Sequence, residues 1–368
     1  MRAEKASGNV EEEMTRPPGM HDVARVARVS HQTVSRVLND HPHVRPATRE
    51  RVREAIAELG YRRNAAARSL VTRRSSVVGL LTPRTDLYGP TSSMIAVEVA
   101  ARDAGYFVSL ASVSESSADA LRTAVEHFKD QAAEAVVLIA PTREWIAAAR
   151  VVAKDLPVVT MCADFRSSQP KLASVSMDNE LGGRLATEHL AGLGHRDIAL
   201  IEGPVTSPEA AARRRGWRNA MRRHGCPAER TYDGDWSSAS GYQAGLKMLE
   251  EGLPTAVFSA NDQMALGLLS ALAEAGVSVP DDVSVAGFDD VPDAAFYVPA
   301  LTTVRQEFPA LALRCLGELE RMLQGEGGQN VRIRPRLIFR SSTAAPSASP
   351  SSGRGGPGRG ARKARSAN

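Results

Sequence analysis

Between residues 20 and 60, apolar positions recur at helical spacing. Val23, Val26 and Ala27 share one face behind Asp22. Val34, Val37 and Leu38 form a second set, and Val52, Ile56 and Leu59 a third. Ser30 stands where an N-cap would open the second helix, over 31–38. Pro46 suits the first turn of a third helix, and Gly60 is placed to end it. The spacing predicts three short helices around one small core. From residue 75 the texture changes. Apolar, β-rich runs fall at 76–81, 106–110, 135–140, 157–161, 197–201, 256–259 and 283–287. Amphipathic, Ala-rich stretches separate them, as at 94–104, 181–193, 263–275 and 309–323. Such alternation predicts an α/β fold with parallel sheets covered on both faces. The strands are many for one sheet, so two lobes are expected. Ligands of such sheets bind beyond the carboxyl ends of the strands, so the polar residues that follow each run become candidates.

The two ends differ from this body. Residues 1–19 are polar, hold Pro17 and Pro18, and lack periodicity, so a disordered arm is expected there, with Met14 or Met20 as alternative starts. Residues 344–368 are Ser, Pro, Gly, Arg and Ala apart from Lys363 and Asn368, and read as a disordered basic tail. The net charge of +4 says little, but its distribution says more. Residues 20–74 hold twelve Arg against five acids and 345–368 five bases and no acid, which leaves 75–344 at −7. A basic head on an acidic body predicts that the head faces a polyanion. Cys162, Cys226 and Cys315 are far apart and form no C-x-x-C pair, as in a reducing compartment. No run approaches the ~18 apolar residues of a membrane span. With Glu11, Glu12 and Glu13 near the start there is no signal-like segment. A soluble, cytoplasmic protein without a membrane partner is expected. The chain shows no G-x-S-x-G, H-E-x-x-H or phosphate-loop motif, and its eight His are scattered, with His41 and His43 in a loop. The reading is therefore not an enzyme, with no catalytic residues, no metal and no cofactor.

The second helix carries the first candidate chemistry. His31, Gln32 and Arg36 lie on one polar face, since positions i and i+4 are neighbours. When such a helix follows a tight turn after another, its start points into the DNA major groove. Gln can pair with adenine and Arg with guanine. Ser30, Thr33, Ser35 and Asn39 are short polar side chains suited to phosphates. In the body, Asn261-Asp262 and Asp289-Asp290 follow strand runs. Arg213 lies in a helix after Gly203-Pro204, Trp236 follows Gly234-Asp235, and Gln306 precedes Phe308. Carboxylates, amides and one aromatic face are what a pyranose needs. An acid after a strand also serves as a helix cap, and spacing alone leaves both roles open.

Asp22-Val23-Ala24, Val29-Ser30, Thr33-Val34-Ser35-Arg36-Val37-Leu38-Asn39, Thr48-Arg49, Leu59-Gly60-Tyr61, Asn64 and Ala67-Arg68-Ser69-Leu70 together resemble the LacI/GalR repressor family. Gly234-Asp235-Trp236-Ser237, 260–267 and Leu301-Thr302-Thr303 extend the resemblance to about residue 343. It implies a helix-turn-helix domain at 20–63, a hinge helix and linker at 64–74, and a two-lobed periplasmic-binding-protein-like domain of doubly wound parallel sheets at 75–343. Asn64, Ala67 and Leu70 would then enter the minor groove of operator DNA, Leu70 as the wedge. Arg213, Trp236, Asn261, Asp289 and Gln306 match effector positions, with Phe308 in the same similar stretch as Gln306, and Leu87 and Pro90 match the first-lobe wall, with Tyr88 between them; all nine are taken as effector-binding. Arg28 replaces the usual turn Gly, and Arg45 a Ser cap. In the pocket, Pro83 and Glu209 stand where one member that it closely resembles has Ser, and Cys162 where that member has Asp. The first lobe would hold 75–162 and a return near 304–328, the second 163–303 and a last strand at 332–342.

These implications make the expected protein a repressor of sugar-utilisation genes. It would bind double-stranded operator DNA as a homodimer and be released by a sugar, a β-galactoside or a relative. That relative ends in a Leu heptad helix that makes tetramers, whereas 345–368 contain no Leu. Two alternatives stay open: a ligand that tightens DNA binding, and a sugar-binding transport protein.

Overall fold

The computed structural model describes residues 18–61, 74–114, 118–140, 142–163 and 165–347, in two units that divide at residue 75. Asn64, Ala67 and Leu70 lie outside the described residues, as do 1–17 of the expected arm and 348–368 of the expected tail.

Among its described residues the first unit holds three helices, α1 (Met20–Val26), α2 (His31–Leu38) and α3 (Pro46–Leu59). Val23, Val34 and Val52 are fully buried where the three meet. Local chemistry fixes the ends. Ser30 Oγ accepts the Thr33 N–H at 3.2 Å, Pro46 opens α3, and Gly60 closes it at φ 59°. Arg45 makes no side-chain cap. Arg28, in the turn before α2, has φ 52°. The usual Gly would adopt that conformation freely, whereas a side chain there costs about 1–2 kcal/mol.

The second unit is built on two six-stranded sheets. The first contains β1 (Val77–Pro83), β2 (Phe107–Val113), β3 (Ala135–Ile139), β4 (Val158–Met161), β5 (Leu172–Met177) and β11 (Asn330–Ile333). Their order is β11-β5-β4-β3-β1-β2, every pair parallel. Helices α4 (Tyr88–Asp103) and α11 (Phe308–Leu323) cover one face. Helices α5 (Ala118–Asp130) and α6 (Arg143–Val152) cover the other. The second sheet contains β6 (Ile198–Ile201), β7 (Thr231–Tyr232), β8 (Ala256–Ser259), β9 (Ser284–Asp289), β10 (Thr302–Arg305) and β12 (Arg336–Ile338). Its order is β12-β10-β9-β8-β6-β7, with β12 antiparallel on one edge. Helices α7 (Asn179–Gly192) and α8 (Pro208–Arg223) pack on one side, α9 (Ser238–Glu251) and α10 (Asp262–Glu274) on the other.

The chain passes between lobes after β5, after β10 and after β11. Two expected lobe limits change. The first passage comes after Met177, not near 163, because β5 belongs to the first sheet. The expected strand at 332–342 is two strands on different sheets, β11 and β12. Strand β5 eludes the apolar-run criterion because Ser174 and Ser176 alternate with Ala173, Val175 and Met177. All of them are nevertheless buried.

Two contacts constrain the second lobe. A Cβ on Gly216 would fall 2.1 Å from the Glu180 carbonyl oxygen, and one on Gly183 2.3 Å from that of Arg213, so α7 and α8 meet backbone to backbone. The segment after β12 is strapped onto its sheet. Ser342 Oγ donates to Val285 O (2.6 Å) and accepts the Thr302 N–H (2.8 Å). His195 Nε2 donates to Ala344 O at 2.9 Å, and His189 Nε2 meets Thr343 Oγ1 at 2.9 Å. The start of the expected tail, Ala344, is thus tied into the lobe. His195 Nδ1 is buried with no partner, and burial holds both imidazoles below their ordinary value of 6.5.

Replacing Gly216 by Ala should destabilise the protein by about 1–3 kcal/mol, since no backbone can yield by the needed distance. Gly317→Ala, in open space within α11, should gain roughly 0.5–1 kcal/mol. Denaturant melts of both variants test the contrast. The unfolded chain protonates its His near 6.5 while folded His195 resists, so stability should fall as pH drops below about 6.5. Thermal midpoints across that range should show a shallower slope for His195→Gln.

Candidate functional site

A cavity of about 150 Å³ opens between the lobes at the carboxyl ends of both sheets. Strands of both sheets deliver the residues that follow them to it. Leu87, Tyr88 and Pro90 come from the start of α4, and Trp236, Asn261, Asp289 and Gln306 from the ends of β7 to β10. Arg213 comes from α8 and Phe308 from the start of α11. The structure therefore brings together all nine residues that the family resemblance singled out. Pro83 stands at the end of β1, outside the lining, whereas Cys162 and Glu209 are part of it.

The second-lobe wall is a polar network around Arg213. Its Nε donates to Asn179 Oδ1 (2.8 Å), and its Nη1 donates to Ala260 O (2.5 Å) and faces Asp289 Oδ1 (3.5 Å). The guanidinium lies 3.6 Å from the Phe288 ring centroid and 5.4 Å from that of Trp236. Asp289 also accepts Gln306 Nε2 at 2.7 Å. Burial draws the Arg213 pKa down, and the carboxylates of Asp289 and Glu209 oppose it. Burial raises Asp289, against the pull of Arg213 and Gln306. Charged neighbours thus oppose, on each other, the neutralisation that burial favours.

Backbone strain accompanies this wall. Trp236 has φ 76° and Asp289 φ 119°, conformations that cost about 1–3 kcal/mol and need surroundings to hold them. Asn261 supplies one such hold. Its Oδ1 caps α10 through Met264 N (2.9 Å), and its Nδ2 donates to Trp236 O (2.9 Å). Both open roles for Asn261 are thus met in one side chain: helix cap and cleft lining. The Trp236 ring lies against Gly203, where a Cβ would fall 2.2 Å from it. Asp290, next to Asp289, is clamped by Arg305 (2.5 Å) and Arg340 (2.6 Å). Asp262 lies behind the wall, where it accepts Thr303 Oγ1 (2.6 Å) and Val291 N (2.9 Å).

The first-lobe wall is mostly apolar, with Ile139, Met161, Val175 and Leu311 beside Leu87 and Pro90. Tyr88 packs edge-on against Phe308, with ring centroids 5.7 Å apart. Glu209 reaches across from α8, where its Oε1 accepts the Ala163 N–H at 2.9 Å and its Oε2 accepts Ser207 Oγ at 3.1 Å. Sequence reasoning missed Asn179 and Ser207. Asn179 follows β5, so the unrecognised strand hid the position after it.

In the first unit, α2 exposes His31, Gln32 and Arg36, with Asn39 exposed just past its end. Thr33 and Ser35 are half-buried. The Ser30 and Thr33 hydroxyls bond each other at 2.9 Å, so Ser30 is engaged as a cap. Among the described residues no cluster of three or more His, Cys, Asp or Glu could hold a metal, and no helix is long and apolar enough to cross a membrane.

Comparisons with known proteins agree with this architecture. Residues 19–64 match the model of bacterial regulatory proteins of the lacI family, and 187–343 that of a periplasmic binding protein-like domain. The lactose operon repressor of Escherichia coli (strain K12) is 37% identical over 90% of this chain and 92% of its own length. A crystal structure of the lac repressor dimer bound to operator and the anti-inducer ONPF superposes with TM-score 0.78 at 36% identity, covering 90% of this chain and all of that one. The transcriptional regulator CelR in complex with cellobiose superposes at TM-score 0.66 and 29% identity, covering 88% of this chain and 99% of that one. With a lacI-type head, two parallel-sheet lobes and a full-length relative above one-third identity, the chain belongs to the lacI family of bacterial transcriptional repressors, which are regulators and not enzymes.

Proposed function

We propose that this protein represses sugar-utilisation genes, as a homodimer on operator DNA, and that an uncharged sugar in the interlobe cleft releases it. A β-galactoside is the first candidate. The observation that carries the reading is the two-sided cleft: a preorganised polar wall around Arg213 faces an apolar wall on the other lobe. A pyranose presents the same division, with hydroxyls at its rim and C–H groups on its face.

The cytoplasm is the compartment such a regulator requires. Residues 20–63 serve as the helix-turn-helix domain, 64–74 as the hinge and 75–343 as the effector domain. In the head, Gln32 and Arg36 read base edges. His31 joins them on the same face, and Ser30, Thr33, Ser35 and Asn39 position the helix on phosphates. Asn64, Ala67 and Leu70 extend the contact from the hinge. In the cleft, Arg213, Asn261, Asp289 and Gln306 hold the hydroxyls while Trp236, Phe308, Leu87, Tyr88 and Pro90 enclose the ring. Edge strand β2 and helix α4 support the dimer, since Phe107, Leu110 and Ile95 expose 64, 52 and 55% of their surface on them. A ligand that touches both lobes favours one lobe orientation, and it releases DNA only through its different affinity for the two states. By linkage, operator then weakens sugar binding by the same factor.

A titration of a palindromic site at fixed salt, with and without galactosides, tests the reading. Release by sugar supports it, and tighter DNA binding in sugar would make the ligand a corepressor. Gln32→Ala and Arg36→Ala should each weaken specific binding by about 1–3 kcal/mol and leave sugar affinity unchanged. Arg213→Met should keep operator binding and raise the sugar concentration for half-release by at least about tenfold. Calorimetry and fluorescence anisotropy on the same variants separate the two effects.

A further inference from the structure

The cleft holds a carboxylate where a ligand's anion would otherwise bind. Glu209 is the second residue of α8, a helix start where Pro208 has no N–H and Ser207 Oγ already caps the Ala210 N–H. It takes the donors that converge there. Oε1 accepts the Ala163 N–H of the first lobe at 2.9 Å, Oε2 accepts the Ser207 hydroxyl at 3.1 Å, and its own backbone N–H contributes as well. Without that side chain, a helix start, a hydroxyl and a facing backbone N–H would form an anion site.

The remaining charge points the same way. Acids Glu209 and Asp289 line the cleft against one base, Arg213. That guanidinium is already shared with Asn179, Ala260 and Asp289. Neither Lys nor His is among the lining residues. A phosphate or carboxylate on a sugar would meet two carboxyl groups and one engaged cation.

We propose that Glu209 is a specificity-determining residue of this cleft: it admits uncharged sugars that donate hydrogen bonds and bars phosphorylated or acidic ones, by occupying the anion position itself. The proposal rests on the reading of the cleft as the effector site. The same carboxylate bridges the lobes. A sugar hydroxyl would therefore add to an existing link between α8 and the segment after β4.

The test is calorimetric, on the full chain, with three probes: methyl β-galactoside, galactose 6-phosphate and inorganic phosphate. The wild-type protein should prefer the neutral galactoside over its phosphate by at least about tenfold and take no inorganic phosphate. Glu209→Ser should gain at least about tenfold in affinity for inorganic phosphate. Glu209→Gln, which keeps an acceptor for Ala163 and loses the charge, should gain less, and it serves if the Ser variant does not fold. Equal binding of galactose 6-phosphate and the galactoside by wild type would overturn the proposal. So would folded Ser and Gln variants that gain no phosphate affinity. If no galactoside binds but phosphate uptake still appears in the variants, the galactoside reading fails and the role of Glu209 stands.

Discussion

The site depends on one buried cation. Arg213 has 5% of its surface exposed, and it draws α7, β8 and β9 onto one guanidinium through Asn179, Ala260 and Asp289. A buried charge is costly unless each donor finds an acceptor. The three elements are therefore held in register by what the guanidinium needs, and the rings of Phe288 and Trp236 cover its faces. The backbone of α8 that carries Arg213 is itself fixed against Gly183. Close helix packing and polar preorganisation are thus the same constraint, seen at two distances from the cleft.

Much of the fold was legible because its signals are local. Ser30, Pro46 and Gly60 mark the ends of α2 and α3 by their own chemistry, and each does so in the structure. The apolar runs located most strands because strands buried on both faces carry no polar positions. Strand β5 departs from that rule, since its serines are buried by neighbours remote in sequence. One unread strand then moved the first passage between lobes and hid Asn179. The nine cleft residues needed the family resemblance, because an Asn or Asp after a strand reads equally well as a cap. Asn261 shows why the ambiguity is physical: one amide caps α10, steadies the strained Trp236 and faces the cavity. Pro83 failed for a simpler reason. Its place at the end of β1 puts it near the cleft in sequence and outside it in space.

The two walls of the cleft differ in rigidity as well as polarity. On the second lobe, strained Trp236 and Asp289 are held by Asn261, Gln306 and the Asp290–Arg340 clamp. On the first lobe the wall is apolar contact, with Tyr88 packed against the cores of both lobes. A ligand would find its polar partners already set on one side and a face of the apolar core on the other. Such a division suits a family whose members, on one fold, answer to different small molecules.

The returning strands and the strap have a consequence for biosynthesis. Helices α1 to α3 and their shared core are complete once residue 61 has left the ribosome, and their contacts are all local in sequence. The lobes are different. The first cannot finish its sheet until β11 pairs with β5, some 150 residues upstream, and the second waits for β12 and for Ala344 to reach His195. A DNA-binding head can therefore exist on a nascent chain well before either lobe can close, and the lobes finish almost together. Removing the chain from before residue 344 would leave the contacts of α1–α3 complete and the second lobe unsealed, so the two units depend unequally on the last residues.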